Sequence, residues 1–155
     1  MIRFVAWINI AAALGFVWFW TSFHAGWSFP MEELRTLIPN FDGYYGWETS
    51  FIVPDLLVAS AMGSAGLALL RNPQHRMAAI SLVFTAGACM FLVVLDTTYA
   101  LRNGLYTLGH PFSYDLLSVP LGLTPVVLLT LGVLGPRLGL GFSKAAWNQQ
   151  PGDKT

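Results

Sequence analysis

Four stretches of this chain carry no Asp, Glu, Lys or Arg: residues 4–31, 56–70, 77–95 and 116–136. A helix that crosses the hydrocarbon core of a bilayer needs about 20 mostly apolar residues, because each backbone N–H and C=O must be satisfied inside the helix. The first, third and fourth stretches meet that length. The second reaches it only if Asp55 and the residues just before it join the same helix. Charged residues make up 10% of the 155 and hydrophobic ones 55%, and the mean hydropathy is +0.57. A soluble domain carries about 25% charged residues, so this chain has too few to cover a water-facing surface. The expected fold is all-α: one integral membrane four-helix bundle with helices over about 3–22, 49–70, 77–99 and 114–134 and a loose cytoplasmic tail over 135–155. The first stretch is longer than a signal-peptide core and holds Trp7, Trp18, Trp20 and Trp27, so a retained helix and no cleaved signal peptide are expected.

Orientation follows from the basic residues, which concentrate in cytoplasmic loops. Arg3, Arg71, Arg76, Arg137, Lys144 and Lys154 fall on one side of a four-helix layout, and only Arg35 and Arg102 on the other. Both termini are therefore expected inside, in the plasma membrane. Glu32, Glu33, Asp42, Glu48, Asp55, Asp96 and Asp115 then lie on the outer side or at its membrane edge. Net charge is zero, and no basic patch suggests a nucleic-acid partner.

The first outer loop is long. Pro30 to Ile38 reads as a short interfacial helix, with Pro30 suited to a first helical position and Pro39 as its stop. Met31, Leu34, Leu37 and Ile38 share its apolar face, which is expected to lie in the membrane interface. The turn-rich segment from Phe41 to Trp47 is expected to lie over the outer mouth of the bundle. The segment from Ala59 to Gly66 is crowded with small residues that let membrane helices approach closely, so the second spanning helix is expected to be the most tightly packed.

An acid in a membrane helix is costly unless it faces the bundle interior or water, which makes each one a candidate for function. Counting 1.5 Å per residue places Asp55 about 24 Å from Arg71, Asp96 about 28 Å from Met77 and Asp115 about 33 Å from Arg137. Asp55 is thus the deepest. Asp115 also suits a helix first turn, where the dipole favours an anion, whereas Asp96 sits near a helix C-terminus where it is disfavoured. The expected ligand-binding set is His24, Trp47, Glu48, Asp55, Asp96, Tyr99, His110 and Asp115. Asp55 and Asp96 are the candidate catalytic pair, because carboxylates can exchange protons with a bound substrate. No metal motif is present and the sequence names no cofactor. Cys89 reads as a small buried hydrophobe, and His75 as a solvated loop residue.

The segment Phe51-Ile-Val-Pro-Asp55-Leu56 is similar to a helix of the emopamil-binding protein and sigma-2 receptor (EXPERA) family, which bears a Phe followed four residues later by an acid and a Leu. The layout of a first helix, a long polar-aromatic outer loop and three closely connected helices also resembles that family. The resemblance implies a four-helix membrane core that binds or isomerises sterols, with Asp55 as the ligand-facing acid. The leading expectation is a membrane protein that holds, and as an enzyme would isomerise, a lipophilic small molecule in an outward-opening, carboxylate-lined pocket, with membrane lipid around it. The alternatives are an accessory subunit bound to a partner membrane protein, or a cation- or proton-coupled transporter acting as a homo-oligomer.

Overall fold

The computed structural model describes residues 1–27 and 30–140, apart from the side chain of Asp115. Six α-helices account for most of it: α1 (Ile2–Ala25), α2 (Met31–Leu37), α3 (Phe41–Thr49), α4 (Ile52–Arg71), α5 (Arg76–Arg102) and α6 (Pro111–Leu134). Four segments are long and apolar enough to span a membrane: Ile2–Ala25, Phe41–Arg71, Arg76–Arg102 and Pro111–Leu138. Three of the spanning helices run past the limits expected from sequence. α1 ends at Gly26, whose φ of 67° is the left-handed conformation that glycine adopts without steric cost.

The segment that reads as turn-rich is helical. Residues 41–49 form α3, and its Asn40 cap accepts a hydrogen bond from the Gly43 N–H. α3 leads into α4 through a break at Ser50 and Phe51, where Ser50 N–H donates to Trp47 O and Phe51 N–H to Glu48 O. Pro54 places the break: it has no N–H, and its ring crowds the carbonyl four residues back, which belongs to Ser50. The second span therefore starts at Phe41 rather than Thr49, as a bent pair of helices.

α2 falls one residue inside its expected limits, with Pro30 as its N-cap rather than its first residue. Its apolar face packs against protein. Leu34 and Ile38 are buried in a second cluster with Phe41, Tyr44, Ala100, Leu105 and Phe112. The Arg35 guanidinium sits 5.4 Å from the Phe41 ring centroid, a cation–π contact that fastens α2 to α3. After α5, a 3₁₀ turn at Leu105–Thr107 leads to α6, which contains Pro120 and Pro125. Of the tail expected to be loose, Pro136–Leu138 forms a 3₁₀ turn with Leu138 against the main core; residues 141–155, with Lys144 and Lys154, lie outside the described residues.

The four long helices close a ring in which α1 packs on α4 and α6, and α5 packs on α4 and α6. The α1–α4 seam is the most extensive, and the small residues of α4 make it. A Cβ added at Gly66 would stand 2.7 Å from Ile10 Cγ1 and 3.0 Å from the Ala6 carbonyl oxygen, while one at Gly63 would meet Ala13 Cβ at 3.6 Å. In a bilayer such van der Waals fit drives helix association. Two polar contacts cross other seams: Asn9 Nδ2 donates to Thr130 Oγ1 at 2.8 Å between α1 and α6, and Cys89 Sγ lies 3.6 Å from Met62 Sδ, with Cys89 buried as expected.

Replacing Gly66 with Val will force α1 and α4 apart and lower stability by about 1–3 kcal/mol, the usual cost of overpacking. Gly87, where an added Cβ meets nothing within 4 Å, is the control: Gly87→Val will leave stability close to wild type. Reversible unfolding in mixed micelles measures both.

Candidate functional site

The ring of helices encloses a cavity of about 400 Å³, within the range of small-molecule sites. α1 supplies Ile8, Ala11, Ala12, Gly15, Phe16 and Phe19; α5 supplies Leu92, Val93 and Asp96; α6 supplies residues from Leu116 to Val126. The bent α3–α4 pair supplies Glu48, Phe51 and Asp55. Glu48 and Asp55 are seven residues apart, which would share one face of a continuous helix. They line the same cavity despite the break between them.

Three carboxylates from three helices thus share one largely apolar chamber, each in a different setting. Asp55 is 8% exposed, and its Oδ2 accepts a 3.0 Å hydrogen bond from Trp20 Nε1 on α1. The Trp20 ring is fixed by Phe19 at 5.1 Å and Phe23 at 5.8 Å, both edge-on. Glu48 is 9% exposed, and no side-chain donor among the described residues reaches its carboxylate. Asp96 is half-buried, on the wall formed by α5. Among the described residues, no basic side chain lines the cavity. A buried carboxylate without a donor is costly, so the chamber favours a guest that brings a donor or a positive charge.

Other residues expected at this site stand elsewhere. His110 caps α6: its Nδ1 accepts from Phe112 N–H at 3.2 Å, which places the ring proton on Nε2, 3.0 Å from Glu33 Oε1. It therefore joins the start of α6 to α2. His24 is exposed and stacks on Trp20 at 6.0 Å, outside the cavity lining. Trp47 and Tyr99 stack almost parallel, 5° apart with centroids at 4.6 Å. They tie α3 to α5 next to Glu48 and one turn beyond Asp96, without lining the cavity. Asn103, the residue that follows α5, donates its Nδ2 proton to the Tyr99 carbonyl. Asp115 lies in the first turns of α6, with its side chain outside the described set.

Trp20 is the neighbour of Asp55 that the sequence does not single out: Trp18, Trp20 and Trp27 fit an aromatic belt at the end of the first helix equally well. Among the described residues, no group of three or more His, Cys, Asp or Glu is arranged to hold a metal ion. No family model, curated protein or solved structure matches this chain.

Trp20→Phe keeps the ring packing and removes the donor to Asp55. It will cost about 1.5–3 kcal/mol, typical for a hydrogen bond to a charged group. Asp55→Asn retains an acceptor for Trp20 and will cost less, which the same unfolding measurement resolves.

Proposed function

We propose that this is an integral protein of the cytoplasmic membrane that holds a lipophilic small molecule by an amine or hydroxyl at one end. The observation that carries the reading is the cavity itself: an apolar chamber in which Glu48, Asp55 and Asp96 stand on three helices with no basic side chain among them. The apolar walls take the body of the ligand and the carboxylates accept from its polar end. Asp55, already oriented by Trp20, is the fixed anchor. Glu48, which no side-chain donor among the described residues reaches, is the acceptor open to the ligand. If the bound molecule is also transformed, Asp55 and Asp96 are the pair placed to exchange protons with it. The basic residues favour both termini on the cytoplasmic side, which turns the carboxylate end of the cavity toward the outer leaflet. The resemblance of Phe51 to Leu56 to the EXPERA helix points the same way, since both Phe51 and Asp55 line the cavity.

Native mass spectrometry of the intact protein released from lipid nanodiscs tests the reading. The wild type will carry a small lipophilic adduct, and the Glu48→Gln/Asp55→Asn variant will bind it about 10- to 100-fold more weakly, the worth of a charge-assisted hydrogen bond. A folded wild type with no adduct, or a double variant that retains full occupancy, overturns the assignment.

A further inference from the structure

The cavity has a mouth on its side, away from the acids. Four of its lining residues are exposed: Ala11 and Gly15 on α1, and Ser118 and Gly122 on α6. All four are small, and a Cβ added at Gly15 or Gly122 would meet no atom within 4 Å. This is where α1 and α6 stand apart, since α1 packs far less extensively on α6 than on α4. Gly15 follows the first residue of α1 by 13 positions and Gly122 that of α6 by 11, which at 1.5 Å per residue is roughly 20 Å and 16 Å along the respective helices. Both glycines therefore lie near mid-span in a hydrocarbon core about 30 Å thick. The outer end is closed by contrast: Phe41, Tyr44, Leu105 and Phe112 are buried together there, with Tyr44 edge-on to Phe112 at 5.8 Å.

We infer that the gap between α1 and α6 is a lateral portal, through which a single-chain amphiphile dissolved in the bilayer enters with its hydrogen-bond-donating head toward Glu48, Asp55 and Asp96. The inference rests on the cavity being a ligand seat. It moves the entrance from the outer end of the bundle, where the sequence reading puts it, to the lipid-facing side. Small side chains form both posts of the portal, so an alkyl chain passes with little repacking. The seat beyond it holds a buried acceptor, Glu48, that no side-chain donor among the described residues reaches. A water-borne molecule would instead have to displace the aromatic plug.

The test uses the full chain in phosphatidylcholine vesicles and a dodecylamine probe with a diazirine at its tail. Gly15→Trp and Gly122→Trp obstruct the posts without meeting neighbouring atoms, Leu121→Trp is a lipid-facing control on α6, and Phe112→Ala loosens the outer plug. Probe added to preformed vesicles reports entry. Probe loaded in detergent before reconstitution reports the seat. The portal variants are expected to label about tenfold more slowly from the bilayer, as binding does when a structural rearrangement must precede it. They should reach the wild-type end point when preloaded, and Leu121→Trp and Phe112→Ala should label at the wild-type rate. Wild-type rates in both portal variants, faster labelling of Phe112→Ala, or loss of the preloaded end point in both portal variants overturns the portal. Absence of preloaded labelling in the wild type overturns the ligand seat itself, a separate outcome.

Discussion

How closely α1 lies on α4 governs the arrangement of the rest of the bundle. In a bilayer, apolar side chains gain nothing by leaving lipid for protein, so helices associate where their surfaces fit. The fit here is backbone against backbone: Gly66 leaves room for the Ala6 carbonyl and the Ile10 side chain, and Gly63 and Ala13 continue the contact one turn away. A helix held this tightly on one side cannot lean equally toward its other neighbour. α1 approaches α6 around the Asn9–Thr130 hydrogen bond and diverges from it further along, and the divergence is the cavity. The chamber is therefore a geometric by-product of a good seam elsewhere.

The bend at Pro54 falls between two of the acids. α3 packs Phe41 and Tyr44 into the second cluster with α2, while Glu48 and Asp55, on either side of the break, both line the cavity. The stacked Trp47 and Tyr99 rings then hold α3 against α5, fixing the distance across which Glu48 and Asp96 share the cavity. Aromatic residues that a membrane reading assigns to the headgroup region also act here as a stopper between protein elements.

Much of this was legible in the sequence, for a physical reason. Charge-free runs and the depletion of acidic and basic residues mark helices long enough to cross a bilayer whatever their packing, and the small residues of α4 mark the seam. Asp55 and Asp96 stand out because an acid is costly at that depth. What the sequence left hidden depends on helix rotation and on pairing between distant segments. The face that α1 turns to Asp55 makes Trp20 its donor, and no spacing rule distinguishes Trp20 from Trp18. His110 lies close to Asp96 in sequence, yet its Nδ1 is taken up by the α6 backbone and its Nε2 by Glu33. The helicity of residues 41–49 was obscured by their two glycines and two tyrosines, which read as a turn until the packing of Phe41 and Tyr44 is known.

The Asn9–Thr130 bond has one more consequence. Asn9 stands beside Ile8, at the end of the α1 wall farther from the acids, and so the bond marks the floor of the chamber. From Ile8 to Phe19 a helix rises roughly 16 Å, and a guest whose head rests on the carboxylates has about that length to fill before it meets the floor. On the proposed reading the chamber would act as a ruler. A shorter chain leaves the bottom empty, and a longer one must turn aside between α1 and α6 and trail into the lipid.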